Sequence, residues 1–441
     1  MSIEGVPDGV ADEWVTATRA ALENDIGGAA TDVLTRVLPA IPVGYDELNW
    51  PNSAAVDLPI IDRLASVPTG AAAADGVATA LTHFTEAPDH QWRFRVYHAG
   101  NALALADLLP LLDQLGFRAI DERAFHFALG EQGVWLHDVG VEIPAGVDFN
   151  DEARAEVQRA FVSQFTDAVE VDGLNRLVLL AGLTARQVEV LRAYSRYLRQ
   201  IGFPFSQQYI EATLARHAGI AAQLVRFFEV RFSPYIADDR VGAAKDARDP
   251  LIEALEAVPS LDDDRTLRSL LALIEATVRT NAFRPGPNDG NRDVLAFKFD
   301  TSKVPDLPLP RPMFEIWVCS PRVEGVHLRN GRIARGGIRW SDRREDFRTE
   351  ILGLVKAQIV KNAVIVPTGA KGGFVVKRPP AGADEFRAEG VACYRQFIGG
   401  LLDLTDNIVG DEVVPPEGTV RFDRSEEHTS ELQSRVDISY A

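Results

Sequence analysis

The sequence predicts a mixed α/β protein in which two regions of strands and helices are separated by a mainly helical segment. Strand and helix patterns alternate after Trp92, helical periodicity runs from Leu174 to Thr280, and short strands interrupted by glycine and proline return after Val294. The 441 residues are enough for two to four domains, and a 46% apolar content supplies their cores.

Residues 1–90 are predicted to form a mostly helical N-terminal segment. Trp14, Val15, Thr18 and Leu22 recur at helical spacing in an alanine-rich stretch. Prolines in the following stretch, from Pro39 onward, predict loops, and no pattern in this segment indicates chemistry.

A small α+β module of ferredoxin-like type is predicted for residues 91–172. Trp92, Phe94 and Val96 alternate with two arginines as in a strand, and four further elements give the order β-α-β-β-α. Such modules bind small ligands or serve spacing and assembly, and the residues leave both roles open. The further elements are expected at Leu105 to Leu115, Phe117 to Phe127, Val134 to Ile143 and Asn150 to Val169, with Asn150 as an N-cap.

Residues 173–284 are predicted to be a helical segment. The spacing of Thr184 and Gln187 fits a capping box, and Ser206 is the expected cap of the next helix. His217 is interpreted as a surface residue near a helix end, since a single histidine at that place is a weak indication of a ligand.

Residues 285–423 are predicted to form a second α/β domain. The Asn330-Gly331 dipeptide indicates a hairpin that leads into Arg335. The predicted helices run from Phe347 to Ile359 and from Asp384 to Leu402. The predicted strands are Val294 to Phe299, Met313 to Cys319, the hairpin arms Val326 to Leu328 and Arg332 to Ala334, Ala363 to Val366, and Phe374 to Val376.

The stretch from Arg335 to Gly373 carries the clearest functional pattern. Gly336 and Gly337 follow a cation, and Gly372 and Gly373 follow Lys371. We expect two tight glycine turns on either side of one helix, because glycine lets the backbone approach a ligand closely. A cation beside such a turn can meet a carboxylate or carbonyl, although solvated charges on ordinary turns give the same pattern.

Composition excludes several classes of protein. A net charge of −18 and a pI near 5.0 argue against a general nucleic-acid binder. No apolar run is long enough for a transmembrane helix, and the N-terminus lacks the pattern of a signal peptide. Cys319 and Cys393 are expected to be reduced core thiols without CxxC spacing, which predicts a cytoplasmic protein without a metal site.

Residues 313–423 resemble the substrate domain of glutamate dehydrogenases, most closely the large bacterial NAD-dependent type. The resemblance is carried by Ile333-Ala-Arg-Gly-Gly-Ile-Arg-Trp-Ser-Asp342, Lys361-Asn362 and Gly369-Ala-Lys-Gly-Gly373, which are specific together. In that type, small ACT-type modules and a helical segment precede the catalytic part. The order of regions here agrees with this from about residue 90 to 423.

The resemblance implies roles for individual residues. Lys371 matches the catalytic lysine that polarises the substrate carbonyl or imine, and Lys361 matches the lysine that binds the α-carboxylate. Arg335 stands where compact glutamate dehydrogenases have a lysine near the distal carboxylate, and a guanidinium can still hold that group. Four glycines are expected to line the pocket, namely Gly336, Gly337, Gly372 and Gly373.

The resemblance also implies L-glutamate and 2-oxoglutarate as substrates, NAD as cofactor and a homo-oligomer in the full-length protein. The chain has no GxGxxG after a strand, and Asp403, Asp406 and Asp411 lack the context of the family's catalytic aspartate. Residues 424–441 are polar and match a translated sequencing adapter, so we expect the native sequence to break near Asp423. The chain is therefore predicted to be an inactive fragment of an enzyme of L-glutamate catabolism.

Two other interpretations are weighed against this one. The chain could be an amino-acid-binding regulatory or assembly module of a larger protein, with the ligand on residues 90–172. A phosphate-binding loop is a weaker interpretation, because Gly372 follows Lys371 where such loops have serine or threonine.

Overall fold

The computed structural model confirms the mixed α/β class and divides into two compact units, Met1–Ala185 and Arg186–Ala441. Among the helices it describes, none combines the length and apolar character that a membrane crossing requires. The described residues are 10–84, 87–236, 239–286, 292–331, 336–361, 369–410 and 412–423.

The first unit contains a four-stranded antiparallel sheet in the order β1-β2-β4-β3. The helices before the sheet share one core with Tyr97, Phe127 and Leu136 on its first face. Phe94, on the other face, packs against Phe161 of α6 with ring centroids 5.1 Å apart. The elements of this unit are α1 Asp12–Ile26, α2 Ala30–Val37, α3 Tyr45–Leu48, α4 Pro51–Ala65, β1 Val77–Thr82, β2 Gln91–Ala99, α5 Leu105–Gln114, β3 Arg118–Phe127, β4 Val134–Glu142, α6 Asp151–Phe165 and α7 Leu177–Ala181.

The N-terminal segment contains one strand that the sequence did not indicate, and one prediction for it is wrong. Residues 77–82 form strand β1, which pairs with β2 although alanine and threonine make its pattern weak. The loops expected near Pro51 and Pro59 are replaced by α4, which begins at Pro51 and contains Pro59. Proline is favoured at the first helical position, and burial of Leu58 and Ile61 stabilises the helix despite Pro59. The predicted cap at Asn150 is confirmed, since its side chain accepts a hydrogen bond from the Ala153 amide at 3.0 Å.

The second unit combines a helical layer with a six-stranded sheet in the order β5-β6-β7-β8-β10-β9. All pairs are antiparallel except β9 with β10. The elements of this unit are α8 Ala185–Gln200, α9 Gln207–Arg216, α10 Ala218–Phe232, α11 Arg240–Glu256, α12 Leu261–Ala276, β5 Thr277–Thr280, β6 Leu295–Asp300, β7 Phe314–Cys319, β8 Val323–Arg329, β9 Ile338–Trp340, α13 Phe347–Lys361, β10 Ala370–Val376, α14 Ala383–Leu402, β11 Asn407–Val409 and β12 Glu412–Val414.

Helices α13 and α14 cover opposite faces of this sheet. A Cβ on Gly373 of β10 would stand 2.3 Å from Ile351 of α13, and a Cβ on Gly325 of β8 would stand 2.4 Å from Phe397 of α14. Gly325 pairs with Phe374, the residue after Gly373, and successive strand residues point to opposite faces. Lys371, two residues before Gly373, therefore points to the α13 face.

The helical segment of this unit agrees with the sequence at one helix cap and differs from it at two other places. Ser206 caps α9 by accepting a hydrogen bond from the Tyr209 amide at 3.1 Å, as predicted. The last four residues of the segment expected to be nearly all helical, Thr277 to Thr280, form the buried strand β5 at the edge of the sheet. His217 does lie at a helix end, but its side chain is only 20% exposed and its Nε2 is 3.1 Å from Asp263.

Both cysteines, Cys319 and Cys393, are buried free thiols, as predicted. Burial raises the pKa of the Cys393 thiol to about 12. Other predictions lie outside the described residues, namely those on Arg332 to Ala334, on Ala363 to Val366 and on residues 424–441.

Candidate functional site

Lys371, Gly372 and Gly373 lie in the interior of the sheet and do not form the predicted turn. They belong to β10, which is hydrogen-bonded to β8 on one side and to β9 on the other. Neither glycine has the positive φ that glycine supplies in type II and hairpin turns. Glycine inside a strand indicates instead that a neighbouring group approaches closely.

The close neighbours of these two glycines lie on opposite faces of the sheet. A Cβ on Gly372 would stand 3.0 Å from Cδ2 of His327 and 3.1 Å from Cγ1 of Ile338. On Gly373 a Cβ would overlap Ile351 of α13. The absence of side chains thus lets β10 pack against both α13 and the β8 histidine.

Gly336 and Gly337 directly precede β9, and neither has a positive φ; the rest of the first predicted turn, up to Arg335, lies outside the described residues. A Cβ on Gly336 would lie 1.4 Å from the carbonyl oxygen of Ala370, a position that only glycine can occupy. The Gly337 carbonyl accepts a hydrogen bond from the Gly372 amide at 3.2 Å. The two glycine segments are therefore neighbours across the β9–β10 pair.

Lys371 is half-buried at this junction. Its Nζ lies 4.0 Å from the place that a Cβ on Gly337 would take, so the ammonium group is beside the exposed glycine backbone. A bulkier residue at position 337 would crowd that group. The structure thus brings together Lys371, Gly336, Gly337 and Gly372, whereas Gly373 lies beneath α13.

The other two predicted cations are only partly placed. Lys361 is the last residue of α13, and its side chain is not among those described; Arg335 lies outside the described residues. The helix that leads to Lys361 is anchored at its first turn. Arg348 Nε and Nη2 each donate to Glu315 at 2.7 Å, and both side chains are fully buried.

Arg339 is a further cation on this face, and the sequence left it without a role. It lies in β9 in register with Gly373. Its Nε forms an ion pair with Oε1 of Glu350 at 2.7 Å, and Oε2 of Glu350 accepts a hydrogen bond from Ser341 at 2.5 Å. In the sequence, only the position of Arg339 two residues after the glycine pair could have indicated that it belongs to the site.

His327 is a second residue that sequence reasoning missed. It lies in β8 opposite Gly372 and is 7% exposed. Its Nδ1 has no hydrogen-bond partner among the described residues. Burial, together with the nearby charge of Arg329, lowers the pKa of His327 to about 3. The ring is therefore neutral at physiological pH.

The carboxylates near the end of the described chain are held in ion pairs. Asp403 lies 3.2 Å from Arg292, Asp406 lies 2.7 Å from Arg279, and Asp423 lies 2.8 Å from Lys298. Arg279 and Lys298 are cross-strand partners in β5 and β6. These aspartates attach the segment after α14 to the sheet, and Asp411 lies outside the described residues.

Three family models match consecutive segments of the chain. Residues 76–154 match the glutamate dehydrogenase ACT3 domain, and residues 169–234 match glutamate dehydrogenase helical motif 3. Residues 250–430 match the catalytic domain of bacterial NAD-glutamate dehydrogenase.

The chain is also similar to three curated proteins named NAD-specific glutamate dehydrogenase. That of Halomonas elongata is 45% identical over 92% of this chain, and that of Pseudomonas aeruginosa is 44% identical over 94% of it. The protein of Mycobacterium tuberculosis is 48% identical over 74% of the chain. The matched segments are 25%, 26% and 21% of the three relatives, so this chain spans about a quarter of their length.

Proposed function

Because the chain belongs to the bacterial NAD-specific glutamate dehydrogenase family, we propose that it supplies the substrate-binding side of that enzyme. The substrates are L-glutamate and 2-oxoglutarate, and the reaction is oxidative deamination with release of ammonia. The observation that carries this proposal is the half-buried Lys371, whose Nζ lies beside the exposed backbone of Gly337.

The proposed roles follow from the charges of the substrate. Glutamate carries two carboxylates, so its pocket needs at least two fixed cations. Lys361 binds the α-carboxylate and Arg335 contacts the distal one, while the Lys371 ammonium donates a hydrogen bond to the reacting carbonyl or imine. Lys371 then exchanges a proton with the water that attacks the imine. Gly336 and Gly337 leave room for the ligand beside that ammonium.

NAD, when bound, accepts the hydride from the substrate. The residues of this chain do not fit a dinucleotide site: no GxGxxG follows a strand, and the second sheet has a single parallel pair in the described residues. We derive no hydride step from them. The 441-residue chain alone is accordingly proposed to be inactive, while the whole enzyme is proposed to be a cytoplasmic homo-oligomer.

Ligand binding tests the substrate site. Glutamate is titrated into the purified chain and its Kd is measured by saturation-transfer NMR. Lys371→Met should raise this Kd at least tenfold, about 1.4 kcal/mol, because a charge-assisted hydrogen bond is lost. Lys356→Met, which removes an exposed lysine of α13, is the matched control and should leave the Kd unchanged. Binding that survives Lys371→Met would favour the regulatory-module interpretation instead.

Turnover tests the second part of the proposal. Glutamate and NAD are mixed with the purified chain, and NADH is followed by its absorbance. We expect no NADH above the rate without protein. Clear turnover would show that the chain holds NAD by residues other than a glycine-rich fingerprint.

A further inference from the structure

Arg339 and Lys371 point to the same face of the β9–β10 pair. Gly373 is the register partner of Arg339 and faces α13, so Arg339 faces α13 as well. Lys371, two residues before Gly373, shares this face. Spacings between and along strands place the two cations roughly 8 Å apart at the backbone. Both side chains are long enough to reach one ligand between them.

The guanidinium of Arg339 is oriented by an ion pair, and its terminal nitrogens remain available to a ligand. Glu350, whose side chain is 14% exposed, forms an ion pair with Arg339 in which the closest atoms are Oε1 and Nε at 2.7 Å, and its other oxygen accepts a hydrogen bond from Ser341. The Arg339 side chain is 41% exposed. Neither of its terminal nitrogens donates a hydrogen bond to another residue in the described part of the chain.

Arg348 shows what a purely structural arginine looks like in the same helix–sheet layer. Its fork is directed at Glu315 through Nε and Nη2, and it has no exposure to solvent. Arg339 differs on both counts, because its fork is open and partly exposed. An open fork held from behind by a carboxylate is suited to bidentate binding of a second carboxylate.

We propose that Arg339 binds the distal carboxylate of the substrate and thereby determines specificity for a five-carbon dicarboxylate. The inference rests on the proposed function, since it requires the substrate to lie beside Lys371. Glu350 and Ser341 are positioning residues that keep the fork directed at the pocket. The assignment is additional to the role expected of Arg335.

The test compares two ligands that differ only at the distal end. L-Norvaline has the backbone of L-glutamate with a methyl group in place of the distal carboxylate. Kd values of both are measured by saturation-transfer NMR on the 441-residue chain. Arg339→Met should weaken glutamate about tenfold and leave norvaline within twofold, so that the preference for glutamate falls. A purely structural role would weaken both ligands together.

Two variants keep the test decisive. Arg343→Met removes an exposed arginine paired with Asp346 just before α13, and it should preserve the preference. Arg339→Lys keeps the charge but loses the fork, and it should lower the preference even if Arg339→Met fails to fold. Unchanged preference in a folded Arg339→Met or Arg339→Lys variant would overturn the assignment. A wild-type chain that binds neither ligand would overturn the proposed function, and the assignment with it.

Discussion

Arg95 in the first unit and Arg339 in the second both lie in strands beside a carboxylate, and their surroundings differ. Arg95 is fully buried; it donates to both oxygens of Asp57 at 2.7 and 2.8 Å and to Asn49 at 2.7 Å. Tyr97 donates to the same aspartate at 2.6 Å. Arg339 is 41% exposed, and its closest approach to Glu350 is from Nε at 2.7 Å. The contrast teaches that hydrogen bonding and burial of the terminal guanidinium nitrogens, and not the presence of an ion pair, separate a structural arginine from one available to a ligand.

The largest effect on stability is expected at the fully buried pair of Arg95 and Asp57. Asp57→Ala would leave Arg95 buried without its partner, which costs about 3–5 kcal/mol of unfolding free energy. Urea denaturation followed by circular dichroism measures the change. Asp62→Ala, which breaks the more exposed pair with Arg36, is the control and should cause little change. Equal losses in the two variants would refute the distinction.

The pH dependence of the unfolding free energy tests a buried group that is neutral, His327, in place of a buried charge. The pKa of His327 is about 3 in the folded chain and about 6.5 when unfolded, so the unfolded state binds the proton first on acidification. Its contribution to stability is present above pH 6.5 and is lost as the pH falls toward 3. Between pH 6 and 4 this amounts to about 2–3 kcal/mol.

Urea denaturation at several pH values measures this contribution of His327. His327→Gln should show a shallower loss of unfolding free energy between pH 6 and 4 than the wild-type chain. Carboxylates that titrate in the same range contribute equally to both proteins and cancel in the difference. Parallel curves would mean that His327 is hydrated and protonated in the folded state.

A glycine of β10 and an exposed glycine of α13 should respond oppositely to alanine. Gly373→Ala places a methyl group 2.3 Å from Ile351, an overlap that costs about 1–3 kcal/mol. Gly353→Ala in α13 meets nothing within 4 Å and should stabilise by about 0.5–1 kcal/mol. Thermal unfolding midpoints of the two variants should therefore move in opposite directions. A rise for Gly373→Ala would show that α13 does not pack closely on β10.

The sequence was sufficient for most elements whose periodicity is strong. Strands β2, β3 and β4 and the long helices fall close to their expected positions. Strand β1 was not predicted because its alanine and threonine residues show little alternation between apolar and polar side chains. Its pairing with β2 stabilises it. Strand β5 follows α12 without a turn residue and is buried on both sides, so periodicity could not separate it from the helix.

The choice of site residues stays a prediction, whereas the local geometry at Gly372 and Gly373 differs from the one expected. Gly372 and Gly373 fit a turn and a closely packed strand equally well in sequence, and only the positions of His327 and Ile351 decide between them. The partners of Arg339 could not be identified either. Glu350 is eleven positions further along, and its role depends on how α13 crosses β9.

Strand β1 also determines which fragments of the first unit can be expressed as folded proteins. A fragment that starts at residue 91 would lack the strand paired along β2 and the helices that share a core with Tyr97. Its newly bare edge would expose unpaired amides and carbonyls to other copies, and such fragments aggregate. An expression boundary for the first unit therefore belongs ahead of Asp12. Ligand-binding screens on a fragment that lacks β1 and these helices would measure binding to an incompletely folded protein.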